Sequence, residues 1–325
     1  MEKIKFLTMA ALATAFFASC SNEDGLPQSN YPADNVVRIT TSVDGMNTRA
    51  SYGGSTAKLS SFGFCINNAG SDKYTYDNIK VTQENGKWNP ATQMLWQNST
   101  TAVDILAYAP YQANGNVKIF GKSDYAFSVK ADQSNAEDYS SDLIVYKQTG
   151  FTPGSELNTS KAVDVAFTHL LSQLNLTIEL RYQFNQDEKK PVTEATVTDV
   201  KVNGTIISSK VDFSASPISV QVDDTQEATA ITPETTEFKA AGKTTDHAAF
   251  NYSAIVIPQT VTAGNFSISF KVDGTDYIWT STSDVNFVSG NKHQLSLLVG
   301  KDVVQVKGIT ATPWGKENIT QGETD

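Results

Sequence analysis

The sequence is poor in cysteine and histidine, with two of the former and three of the latter in 325 residues. Two cysteines, Cys20 and Cys65, cannot build the disulfide framework that staples small secreted domains. His169, His247 and His293 are far apart and lack ligand spacing, so no zinc site is expected. There is no Gly-x-Ser-x-Gly elbow, no phosphate-cradling glycine loop and no EF-hand spacing. Asp223-Asp224 and Glu234 stand isolated in polar sequence, where solvated loop side chains are the ordinary reading. No catalytic residue, metal ligand or cofactor emerges, and the chain reads as non-enzymatic. No long stretch keeps the helical period, and no apolar run reaches the roughly 20 residues of a membrane-spanning helix.

Charge is lopsided: 25 basic against 35 acidic residues, a net −10. Omitting the first nineteen residues, with Glu2, Lys3 and Lys5, leaves 23 basic and 34 acidic, or −11. Such a chain is a poor partner for nucleic acid or anionic lipid headgroups. Its length allows a large core and one or two domains. Cys65 sits in Phe62-Gly63-Phe64-Cys65-Ile66 without a basic neighbour, the setting of a small buried residue rather than a reactive thiol.

The beginning of the chain carries the clearest signals. Lys3 and Lys5 precede an apolar run from Phe6 to Ala18 that ends in Phe17-Ala18-Ser19-Cys20. Positive charge, a short apolar run and small residues make residues 1–19 a secretory signal peptide. Ala18 and Ser19 before Cys20 resemble a bacterial lipobox, in which the cysteine thiol takes a diacylglycerol, although Phe17 replaces the usual leucine. Ordinary cleavage near Ser19, with Cys20 a bystander, is the alternative. Ser21-Asn22-Glu23-Asp24 resembles the surface-export signal of lipoproteins in the Bacteroides group, which implies the outer face of the outer membrane. Residues 20–35, with Pro27 and Pro32, read as the lipidated cysteine and a flexible linker.

Val37, Ile39, Thr41 and Val43 then share one face of a strand, with Val36, Arg38, Thr40 and Ser42 on the other. Asp44-Gly45 ends it. Arg49-Ala50 follows in small polar sequence, where backbone is open to a protease. A lone arginine in a loop is also, ordinarily, only a solvated side chain.

Short alternating strands continue to the end. Asn85-Gly86 is a hairpin signal, because both positions tolerate positive φ, and Asn203-Gly204 and Asp273-Gly274 read as turns. Leu174, Leu176, Ile178 and Leu180 face one way in the cleanest amphipathic strand. Thr168 to Ser172 is expected as one helical turn. Trp88, Trp96 and Trp279 lie in or beside strands, which favours core packing over carbohydrate stacking. The pattern predicts an all-β chain. A looser stretch at Phe151–Ser160 suggests an N-terminal β-sandwich over 36–160 and a C-terminal one over 161–325.

Several segments in this order resemble the fimbrillin-like lipoproteins of Bacteroidetes, subunits of a type V pilus. They are the lipobox with acidic residues after it, Thr48-Arg49-Ala50, Ser61-Phe62-Gly63-Phe64, and Asp104-Ile105-Leu106-Ala107-Tyr108-Ala109-Pro110. Asp142-Leu143-Ile144-Val145-Tyr146, Phe167-Thr168-His169-Leu170-Leu171-Ser172-Gln173-Leu174 and the closing Pro313-Trp314 complete the set. The resemblance implies two tandem transthyretin-like β-sandwich domains after a lipoprotein signal peptide. It also implies cleavage after Arg49 by an arginine-specific protease and loss of the first strand with its plugs Val37, Ile39 and Val43. Other pilus subunits would then join by strand addition, with a donor strand from Leu295 to Ile309. The implied partners are those subunits, the outer membrane through the lipid anchor, and a host or bacterial surface ligand in adhesion. The rival is a monomeric glycan- or host-ligand-binding surface lipoprotein, which would keep its first strand and expose coplanar tryptophans.

Overall fold

The computed structural model describes residues 30–43, 58–113, 118–187, 190–243 and 246–314. The signal peptide, Cys20, Arg49 and Ala50 lie outside them. Regular structure is almost all strand, as the alternation predicts. The first sheet has seven strands: β1 (Ile39–Val43), β2 (Ser61–Asn67), β3 (Tyr76–Glu84), β4 (Lys87–Pro90), β5 (Val103–Ala109), β7 (Ile144–Phe151) and β8 (Val163–His169). Their order is β1-β8-β7-β5-β2-β3-β4. The β3–β4 hairpin turns at Asn85-Gly86, with φ of 52° and 74°, values that suit Asn and Gly.

The central strands of this sheet are buried on both faces. Phe62, Phe64, Ile66, Ile105, Ala107, Val163, Val165 and Phe167 fill one core. Cys65, Leu106, Tyr108, Leu143 and Val145 point the other way, into a second and larger core. Two-sided burial explains why β5 carries apolar residues at consecutive positions, Ile105 to Ala109, instead of a half-polar alternation.

That second face is covered by a three-stranded sheet, β12 (Ser219–Val222), β11 (Ser208–Asp212) and β6 (Tyr125–Ser128). Here Ser128 pairs with Ser208 and Tyr125 with Val211, so strands from the two halves of the chain share one sheet. Lys147 of β7 ties the turn between β11 and β12 to the first sheet. Its Nζ donates to the carbonyls of Phe213, Ser214 and Ala215 at 2.8, 2.9 and 2.7 Å.

The remaining strands form a five-stranded sheet, ordered β13 (Glu234–Lys239), β14 (Ala248–Val256), β9 (Ser172–Leu180), β19 (Asn291–Gly300) and β20 (Val303–Pro313). Opposite it lie β10 (Val197–Asn203), β16 (Ser267–Val272) and β17 (Thr275–Thr280), with a small pair, β15 (Gln259–Val261) and β18 (Val285–Phe287). Leu174, Leu176, Ile178 and Leu180 of β9 meet Ile268 and Phe270 of β16 in the larger core.

β8 hydrogen-bonds to both β1 and β7 and carries the first sheet on to His169, close to the boundary expected near 160. One expectation changes. The expected helical turn at Thr168–Ser172 is instead a two-residue crossing, Leu170-Leu171, from β8 to β9. Both leucines are buried, and the backbone there is tied to neighbouring segments instead of to a helical turn: Leu170 N–H donates to the Leu143 carbonyl at 2.9 Å and Gly290 N–H to the Leu171 carbonyl at 3.0 Å.

Candidate functional site: the seat of the first strand

β1 sits at the edge of the seven-stranded sheet and pairs with β8 alone. The pairing is parallel, with Ile39 opposite Val163 and Val43 opposite Phe167. Parallel ladders are slightly weaker per residue than antiparallel ones. Val37, Ile39 and Val43 are 2%, 7% and 7% exposed and belong to the first core, as the alternation predicts. Each buried side chain of this size contributes roughly 1.5–3 kcal/mol. Thr41, on the same face, encloses its hydroxyl without a hydrogen-bond partner. Such a group costs about 1–3 kcal/mol, so the strand is held firmly but not optimally.

Just before β1 the chain makes a second attachment that the sequence pattern does not reveal. Val37 N–H donates to the Met94 carbonyl at 3.0 Å, and Trp96 N–H donates to the Asn35 carbonyl at 2.8 Å. Val36 forms an antiparallel bridge with Leu95. Residues 35–43 therefore span a seam, with 94–96 on one side and β8 on the other. A groove of about 890 Å³ runs along it, bounded by Arg38, Ile39 and Thr41 and by Trp88, Pro90 and Met94. Met94 and Trp96 are buried in the same core as the plugs, so the seam roofs apolar side chains.

Side-chain contacts fix the approach. Asn30 Nδ2 donates to the Leu157 carbonyl at 3.0 Å, and Asn158 Nδ2 to Thr40 Oγ1 at 2.9 Å. Arg38 Nη2 lies 2.6 Å from Asp34 Oδ2. The guanidinium's hydrogen bond holds the Asp34 carboxyl down at about 2. Both groups are exposed, so this ion pair orients the turn more than it stabilises it.

The other singled-out residues pack inward. Cys65 is fully buried and accepts from Asn78 N–H at 3.2 Å, and burial pushes its thiol well above the ordinary range. Trp96 stacks on Phe151 at 5.7 Å, while Trp88 and Trp279 meet Phe62 and Phe266 edge-on at 5.0 and 6.2 Å. Each of these indoles therefore packs against a phenylalanine of the core. His169 Nδ1 lies 2.9 Å from Asp142 Oδ1, a pairing with the look of a catalytic dyad. Both side chains are fully enclosed, and the indole of Trp314 covers the imidazole, so the pair has no route to a substrate.

An all-β protein whose first strand closes a seam over a core, as a weakly paired edge, is the class that these features define. The sequence matches the fimbrillin-like family over residues 48–314, and the chain belongs to that family. Three solved structures share the fold. A proposed cell adhesion protein from Bacteroides ovatus superposes with a TM-score of 0.61 at 13% identity, covering 87% of this chain and 99% of that one. A proposed cell adhesion protein from Bacteroides uniformis gives 0.54 at 19% identity, with coverage of 87% and 99%. A fimbrial protein from Bacteroides vulgatus gives 0.51 at 17% identity, with coverage of 86% and 99%. No curated protein matches the sequence. Family membership supports a structural role as a fimbrial subunit at the cell surface.

Proposed function

We propose that the chain is a subunit of a surface pilus, at its stalk, tip or anchor, assembled by strand exchange and serving adhesion. The precursor reaches the outer face of the outer membrane as a lipoprotein anchored through Cys20. A protease then cuts between Arg49 and Ala50, and the segment carrying Val37, Ile39 and Val43 leaves its seat. A strand of a neighbouring subunit fills the seam. Its backbone pairs with β8, and its alternate side chains enter the pockets that the three plugs vacate. Two transthyretin-like sandwich units in tandem form the body, the first of them reaching to His169.

The observation that carries this reading is the placement of β1: an edge strand, paired in parallel on one side, with three apolar side chains in a core that its loss would open. The donor is narrowed by burial. Leu295, Leu297 and Val299 of β19 are at most 1% exposed and lie between β9 and β20, whereas Val303, Val306 and Ile309 of β20 are 43–47% exposed. β20 is therefore the proposed donor.

Incubating the purified precursor with an arginine-specific protease tests the reading. Cleavage after Arg49 is expected to yield fibres by electron microscopy and a heat-labile ladder on denaturing gels. Clean cleavage at that bond with the protein still monomeric would overturn it.

A further inference from the structure

β20 is held unevenly. Along its length its backbone pairs with β19, in a register that sets Val304 opposite Val299, Val306 opposite Leu297 and Ile309 opposite Leu295, and its exposed Gln305 and Lys307 reach across to Arg181 and Glu179. Val306 and Ile309 thus lie beside core residues yet remain nearly half exposed. At its far end the picture reverses, for Trp314 is only 6% exposed. Its N–H donates to the Gly290 carbonyl at 2.7 Å. Its indole lies flat on the imidazole of His169, with ring centroids 3.8 Å apart and planes 7° apart. Asp142 fixes that imidazole from the first sheet's side. Lys292 of β19 brings its ammonium to 5.6 Å from the indole centre, within cation–π range.

We propose that Asp142, His169, Lys292 and Trp314 form a latch: Trp314 pins β20 to the end of β8, and β20 leaves β19 only after Trp314 has left this pocket. The pocket is built to open as well as to close. The indole N–H of Trp314 is enclosed with no acceptor, and Lys292 keeps an ammonium in a 7% exposed position. Leaving the pocket returns both groups to water, which offsets part of the lost stacking. The latch also joins the two ends of the chain through one strand. β8 pairs with β1 as far as Val43 opposite Phe167, and His169 follows two residues later on the same buried face. The use of the latch in assembly rests on the strand-exchange reading, whereas its existence does not.

Hydrogen exchange on the full mature chain, followed by mass spectrometry, tests it. Trp314→Ala is expected to speed exchange in peptides covering Gln305–Thr312 at least tenfold, with β9 and β14 unchanged. Trp314→Phe, which keeps a ring on His169, is expected to restore most of the protection. Exchange in β20 within twofold of the parent, or an equal rise throughout the five-stranded sheet, would overturn the latch. Should Trp314→Ala fail to fold, the parent labelled with 5-fluorotryptophan gives the answer by fluorine NMR. A Trp314 opening rate equal to the β20 exchange rate supports the latch, and a β20 rate faster than Trp314 opening overturns it. If Trp314→Ala frees β20 and the protein cleaved after Arg49 still stays monomeric, the latch stands and the strand-exchange reading fails.

Discussion

Ile39 lies directly opposite Val163, in the parallel register that places the first strand on the edge of the seven-stranded sheet. That pair decides what the N-terminal strand can do. An interior strand would be held by two ladders and could not leave without unfolding the sheet. β1 has one ladder, an antiparallel toehold at Val36–Leu95, and a row of apolar plugs. The plugs supply its affinity, and the edge position supplies its freedom.

Shortening a plug should therefore weaken the first sheet. Ile39→Ala is expected to cost about 2–4 kcal/mol, the ordinary range for a buried isoleucine cut to alanine. Urea unfolding checks this through a lower midpoint at an unchanged slope.

Lys147 answers three carbonyls with one ammonium, at 2.7–2.9 Å. Lys147→Met keeps the stem but leaves those carbonyls without their donor. A loss of about 2–3 kcal/mol is expected, as for hydrogen bonds to a charged group. A thermal melt measures it, and amide shifts confined to 213–218 would locate it.

Gly63 has no room for a side chain. A Cβ there would lie 2.3 Å from Cε1 of Tyr108, whose hydroxyl is tied to Asn78 Oδ1 at 2.7 Å. Gly63→Ala is expected to destabilise by about 1–3 kcal/mol through overpacking. The double variant Gly63→Ala with Tyr108→Leu should cost less than the sum of the two single changes in urea unfolding.

Burial lowers the pKa of Lys292 from the ordinary 10.5. The folded state then holds the proton less tightly than the unfolded chain. Stability should rise with pH across the window between the lowered value and about 10.5, where the unfolded chain binds more protons. Lys292→Met should remove that rise with pH. Melting temperatures at pH 8 and pH 10.5 for both proteins measure the difference.

Much of this architecture is legible in the sequence, and the rest fails for a physical reason. Alternation assigns faces, so Val37, Ile39 and Val43 are found as plugs and Leu174 to Leu180 as a core strand. Asn85-Gly86 announces a hairpin and Asp273-Gly274 a turn because their neighbours in space are also neighbours in sequence. Alternation does not say which distant strand lies alongside. The pairing of Ser128 with Ser208, the capture of β8 by the first sheet and the bridge from Val36 to Leu95 are all long-range, and no local signal carries them. Leu170-Leu171 misleads for a related cause. Two adjacent apolar residues look like a break in strand period, whereas the chain is crossing between sheets with both side chains buried.

The central claim is that the first strand leaves. Mass spectrometry of the protein on cells, with and without an arginine-specific protease, tests it most directly. A new N-terminus at Ala50 in the protease-treated protein is the expected result. A protein that keeps lipidated Cys20 and resists the protease would contradict it.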